Sequence, residues 1–270
     1  MPICYIKDLE DIALRPYKSL ALLREKHDQS SCFIAETHTV IQNAINAGCI
    51  PHSFLVAEKY IAGRDKVILQ RFPDVTVYTA SDEILEQLTG FPLTRGILSV
   101  MTRPTAYTME SIIKHASRIA VLVNVQDASN IGAIMRSACG LGIDAVVLDA
   151  SCCDPLHRKA IRTSMGAVFK LPWVHSDQSG SALALALHAS GFRTLAFALT
   201  SNAISLQKES FKVNEPLALF FGSEGNGLDK STIENCTEAV LIPMANEMDS
   251  LNVAAAAAIV FWEVARNSIC

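Results

Sequence analysis

Short apolar runs, each followed by a stretch with apolar positions three and four residues apart, recur along the whole chain. In the first part, strands are predicted at 32–35 (CFIA), 53–57 (SFLVA), 75–79 and 95–101 (RGILSVM). Helical spacing falls between them: at 19–27, from Glu36 through Val40, Ile41, Ala44 and Ile45, at 64–71, and behind the capping residue Ser81. Gly48 ends the second of these helices, and Pro51 follows as a stop. Strand and helix in alternation indicate a layered α/β unit. Pro104 to Met109 carries a proline, small residues and no apolar periodicity, which places a linker at 105–110.

From Ile119 the pattern becomes strand, loop, helix in repeated units. Strands are expected at 119–123 (IAVLV), 145–148 (AVVL), 194–198, 217–221 (LALFF) and 240–242. Helices are expected at 131–141, closed by Gly142, at 183–189 and at 251–266, with a helix or turn at 159–165 leading to 168–171. Continuously apolar strands of this kind belong to a parallel sheet covered on both faces. The expected organisation is an α/β unit over 1–104 and a parallel-sheet domain over 111–270.

Three stretches join small residues to a few polar ones at expected strand ends, where open α/β sheets build ligand sites. They are NVQDASNIGAIMR (124–136), FGSEGNGL (221–228) and IPMANEMDSLNV (242–253). The glycines of the second allow backbone to approach a ligand closely. Its spacing is neither the GxGxxG of a dinucleotide site nor the GK[ST] ending of a phosphate loop, so NAD and ATP are not indicated. Arg136 lies one to two turns into its helix, where a cation can hold a phosphate or a ribose hydroxyl. Asn252 offers a donor and an acceptor, and Ser250 either caps the final helix or acts directly.

In order and spacing these stretches resemble the signature motifs of the SpoU/TrmH family, RNA ribose 2′-O-methyltransferases of the trefoil-knotted SPOUT superfamily. The resemblance runs from about Ile119 to the end. It implies S-adenosylmethionine (SAM) as cofactor, cradled by backbone at Gly222, Ile242 and Leu251. It implies a catalytic constellation of Arg136, Asn130, Glu224, Ser250 and Asn252. Glu224 either holds Asn130 or a backbone amide, or takes a proton. A literal arginine base conflicts with a guanidinium pKa above ~12, so Arg136 is expected to position the nucleotide and stabilise an emerging alkoxide. One departure stands out: Ala128-Ser129 replaces the family's Pro-Gly or Pro-X after the motif-one Asp, which leaves that loop less stiff. The segment KAIRTSMGAVFKLP, with Arg162, Ser164 and Gly166, matches a further family segment near the expected RNA entrance.

The N-terminal part resembles the substrate-binding domain that often precedes such a catalytic domain, a ribosomal-protein-like fold that grips looped RNA. The likeness rests on the strand leading into Glu36, the helix end Asn46-Ala47-Gly48 and the closing strand Gly96-Ile97-Leu98. The two-part layout leans toward rRNA, with tRNA or a catalytically inactive RNA-binding protein as alternatives. The resemblance also implies a homodimer through the knot region. The last helix, with Leu251, Ala254, Ala255, Ala258, Ile259, Trp262 and Ala265 on view, is compatible with that or with plain core packing.

Charge alters this picture little. The net charge of −4 excludes a general basic coat for nucleic acid. Local stretches remain: Arg15, Lys18, Arg24 and Lys26, and a second with His157, Arg158, Lys159 and Arg162, either RNA contacts or solvated faces. The eight cysteines show no zinc spacing, so no metal is expected, and they read as reduced cytoplasmic thiols, with Cys139 a small core residue. No apolar run reaches the ~20 residues of a membrane helix, and the N-terminus does not read as a signal peptide.

Overall fold

The computed structural model describes residues 2–18, 32–61, 63, 66–89, 96–208, 211, 215–245 and 250–266. In chain order the first elements are β1 (Ile3–Tyr5), α1 (Arg15–Lys18), β2 (Cys32–Glu36), α2 (His38–Asn46), β3 (Pro51–Ala57), α3 (Lys66–Arg71), β4 (Thr76–Ala80), α4 (Asp82–Thr89) and β5 (Ile97–Thr102). Then come α5 (Met109–His115), β6 (Arg118–Leu122), α6 (Ala128–Gly140), β7 (Ala145–Leu148), α7 (Arg158–Thr163), β8 (Trp173–His175), α8 (Gly180–Ala189) and β9 (Arg193–Phe197). The last are β10 (Ile204–Ser205), β11 (Leu217–Phe221), α9 (Lys230–Asn235), β12 (Glu238–Leu241) and α10 (Val253–Ala265).

The chain divides into two compact units, Met1–Thr105 with Leu156–Phe169, and Ala106–Pro155 with Lys170–Cys270. The first is built on a mixed sheet of order β1-β4-β3-β5-β2. The pairs β1/β4 and β3/β4 are parallel, while β5 runs antiparallel to β3 and β2. Leu14, Tyr17, Leu55, Leu85 and Leu98 pack one of its cores. The expected helix at 19–27, with Arg24 and Lys26, lies outside the described residues, as does the side chain of Lys18.

β1 carries no strand signal of its own: it is three residues long and every one is exposed. Its register comes from β4, with Cys4 opposite Tyr78. A second difference concerns the expected linker. Thr108 accepts a hydrogen bond from the amide of Ser111 (3.1 Å), so a helix starts at Met109 inside that stretch. Proline and small residues mark the approach to the cap, and one turn of apolar spacing is too little to show periodicity.

The second unit holds a seven-stranded sheet of order β10-β12-β9-β11-β6-β7-β8, parallel at every pair. β11 inserts between β6 and β9, both laid down earlier in the chain, and β12 returns to the far side of β9. β11 is buried along its whole length because both faces are covered. Phe220 joins Ile119, Val121, Leu183 and Leu187 on one face. Phe221 turns to the other, stacked on Phe197 (5.0 Å between centroids) and edge-on to Phe261 of α10 (5.6 Å).

Cys139 is not a core residue. It is exposed at the C-terminal end of α6, one residue before the helix closes at Gly140. Among the described residues, no helix is long and apolar enough to cross a membrane.

Candidate active site

All three motifs emerge at the carboxyl edge of one parallel sheet. Motif one follows β6, motif two follows β11 and motif three follows β12, and the end of β9 lies between the last two. That edge forms a cleft of about 430 Å³, within the range of small-molecule pockets. Its walls are the glycine-rich loop from Gly222 to Gly227, the half-exposed Ile242 and Met244, and Ser250 and Leu251 before α10. The Phe197/Phe221 stack contributes to it as well.

The loop after β11 folds back on itself. Gly227 donates its N–H to the carbonyl of Ser223 (2.9 Å), and the two residues form an isolated antiparallel bridge. A Cβ on Gly222 would lie 2.1 Å from the carbonyl carbon of Gly227 and 2.3 Å from the Leu228 nitrogen. Only glycine fits there. Gly227 has φ +63°, a second reason for glycine in this turn. Gly225 is different: a Cβ there meets nothing within 4 Å.

Motifs one, two and three meet through three side chains. Asn252 caps α10, its Oδ1 accepting from the amides of Ala254 (3.0 Å) and Ala255 (3.3 Å). The cap fixes which end of the amide is oxygen, so Nδ2 faces away from the helix. It donates to Oδ1 of Asn130 (3.1 Å) and to Oε1 of Glu224. With its oxygen engaged, buried Asn130 donates its own Nδ2 to the same Glu224 oxygen (2.6 Å). Helix geometry thus sets each orientation in turn, and both amides converge on one carboxylate oxygen, a charge-assisted arrangement. Glu224 does hold Asn130, one of its two expected roles. Ser250 is not the helix cap; that position belongs to Asn252, because α10 begins at Val253, two residues later than the sequence pattern suggested.

A second hollow of about 220 Å³ lies at the same network. It is lined by Asn124, Gln126, Asp127 and Asn130 of motif one and by Glu224 and Asn226 of motif two. The loop 223–226 lines both cavities.

Motif one is supported by two residues that its own pattern does not reveal. Asp149, buried after β7, accepts from the amides of Asn124 and Ser151 (both 3.0 Å). Buried Cys152 accepts from the Val125 amide and donates to the Leu122 carbonyl, both at 3.3 Å. Burial, with the charge of Asp149 adding, pushes that thiol far above its ordinary range, so it stays protonated and structural. Asn124 itself has φ +55°, which asparagine tolerates. The signal for Asp149 was a polar residue directly ending an apolar strand. The wall from Phe197 to Leu199 had no motif at all.

Arg136 does not join this cluster. It lies two turns into α6, exposed, and its side chain makes no hydrogen bond or ion pair with another described residue. From Asn130 it is displaced by ~9 Å along the helix and ~240° around it. Lys159 and Arg162 are exposed on α7 and Arg15 is exposed at the start of α1, all in the first unit. Ser164 is buried and turned inward, its Oγ donating to the Ile161 carbonyl (2.9 Å).

The Ala128 departure has a clear geometry. Asp127 caps α6 through the Ser129 amide (2.9 Å) with φ −74° and ψ 114°, and Ala128 is the first helical residue. That ψ suits a residue before proline, and the first helical position does not need its N–H. Ala128→Pro should therefore raise stability by about 0.4–1 kcal/mol by restricting the unfolded chain. Chemical denaturation of the two proteins checks this; an equal or lower midpoint would show that buried Ala128 leaves the ring no room.

Residues 117–262 match the model of the SpoU rRNA Methylase family, more than half of the chain. Over 265 residues the chain is 33% identical to the uncharacterised tRNA/rRNA methyltransferase Mb0905 of Mycobacterium bovis, covering 96% of this chain and 91% of that one. It is 24% identical to the 23S rRNA (guanosine(2553)-2′-O)-methyltransferase RlmP of Bacillus subtilis, covering 96% and 98%. Its fold matches an AdoMet-bound rRNA methyltransferase from Sinorhizobium meliloti with a TM-score of 0.84 at 20% identity, over 99% of both chains. The chain belongs to the SpoU family of RNA methyltransferases.

Proposed function

We propose that this protein is a SAM-dependent ribose 2′-O-methyltransferase acting on rRNA. The observation that carries the reading is the Asn130–Glu224–Asn252 network, which ties the three motifs together between a ligand-sized cleft and a polar hollow. The cleft suits SAM: main chain at Gly222 and the apolar Ile242 and Leu251 line it, and Glu224 is its one ionisable residue among those described. When bound there, SAM would supply an electrophilic methyl group. The chain's own contribution is orientation and charge. Glu224, committed to two amide donors, positions the loop between the cavities. Arg136 stabilises negative charge on the attacking 2′-oxygen.

Arg136 points to a shared site. One chain turns it away from Asn130, so it would serve the Asn130 cluster of a second copy. α10, which packs against α6, has an exposed stripe of Ala255, Ile259 (42% exposed) and Trp262 (57%), continued by its cap residue Arg266, which suits a homodimer. A C-terminal knot, implied by the family resemblance, belongs to the same reading, supported by β11 inserting between β6 and β9. The preference for rRNA draws on RlmP, a 23S rRNA enzyme that aligns with both units.

The test is methyl transfer from labelled SAM to total rRNA and total tRNA, followed by mapping of the modified nucleotide. Label at one ribose of rRNA is expected. Label in tRNA alone would replace the substrate, and SAM binding without transfer to either RNA would leave a non-catalytic RNA binder.

A further inference from the structure

The segment Leu156–Phe169 interrupts the second unit in sequence yet folds with the first. Its apolar side, Ala160 and Ile161, is buried, and Phe169 packs on Phe33 of β2 (5.3 Å between centroids). Gly166, with φ +80°, approaches α2 so closely that a Cβ would lie 2.6 Å from the Asn43 side-chain nitrogen. At the head of the segment Arg158 meets Glu36, the last residue of β2, whose exposure is only 8%. Both Nη2 (3.0 Å) and Nε (3.2 Å) of Arg158 reach the same carboxylate oxygen. A buried ion pair adds little net stability, but it penalises any other placement of its partners, so it fixes register. The residue after Glu36 is also constrained. Thr37 has φ +81°, a backbone state unfavourable for a β-branched side chain, and is held by its N–H to the Ile97 carbonyl (3.1 Å) and by capping α2. Such outliers concentrate at functional positions.

We propose that Glu36 and Arg158 are a positioning pair. They set the register of the segment on the first unit, so that the exposed cations Lys159 and Arg162 serve as phosphate contacts of that unit. The proposal rests on the RNA reading above. It takes two residues outside the three motifs and gives them a role in substrate affinity, with no part in cofactor binding.

The experiment uses the full chain, a fluorescently labelled 23S rRNA transcript, SAM titration and hydrogen exchange. Arg158→Met should speed exchange at amides of 158–169 and weaken RNA binding at least tenfold, with SAM affinity within twofold of wild type. In a Lys159→Ala/Arg162→Ala background the same change should cost no more than a further twofold, because the pair acts through those cations. Losses that multiply would mean general damage and overturn the proposal. So would unchanged exchange, or faster exchange with RNA affinity intact. If Arg158→Met does not fold, Glu36→Gln and Arg158→Lys carry the same comparison. A wild-type protein that binds no rRNA overturns the functional reading itself, whereas wild-type binding with unaffected variants overturns only the positioning pair.

Discussion

Gly222→Ala is expected to abolish measurable SAM binding and to lower the melting temperature. The added methyl has nowhere to go: its nearest neighbours are main-chain atoms of Gly227 and Leu228 at 2.1–2.3 Å, which cannot swing aside as a side-chain tip would. The loop must open, and opening it separates Gly222 from Gly227 on the wall of the cleft and shifts Glu224 between them. Overpacking of this kind costs about 1–3 kcal/mol in stability. Gly225→Ala is the matched control for folding, since no protein atom lies within 4 Å of a Cβ there, and it should leave the melting temperature within error. Calorimetric titration with SAM and a thermal melt of both variants decide the matter. Wild-type affinity in Gly222→Ala would mean that this loop does not form the cofactor wall.

Arg136→Ala should reduce methyl transfer by roughly 10²–10³ at saturating SAM, the usual cost of removing one preorganised charge from a developing oxyanion. SAM affinity should hardly change, because Arg136 is not among the residues lining the cleft. Arg136→Lys should also be poor, since a point charge does not copy a planar fork. A shared site adds a sharper expectation. Mixed dimers of an Arg136→Ala chain with an Asn252→Ala chain should regain activity that neither parent has, because one of the two sites then holds both residues intact. Near-full turnover in Arg136→Ala would remove the residue from catalysis. Inactive mixed dimers from two inactive parents would place the site within one chain.

The sequence carried the layout for local reasons. Apolar runs bounded by Gly, Pro and capping residues mark strands and helices within a few residues of their observed ends, and β7 and β11 are apolar throughout, as β6 is after Arg118, because both their faces are covered. The three motifs and their residue types were legible because strand ends in parallel sheets need small and polar residues. Short elements were not: β1, β8 and β10 have two or three residues each, and their existence depends on partners elsewhere in the chain.

What the sequence by itself determined, then, was the set of candidate residues and the strand ends that carry them. Which candidates touch was decided by strand order. Inserting β11 between β6 and β9 brings Glu224 to Asn130 across 94 positions, and α10 brings Asn252 to Asn130 across 122. The same folding leaves Arg136 apart from them. It also gave the cap of α10 to Asn252 rather than Ser250, placed Asp149 and Cys152 beneath motif one, and sent Leu156–Phe169 to the other unit. None of these follows from residue spacing, because each depends on which distant backbone groups the sheet brings within hydrogen-bonding reach.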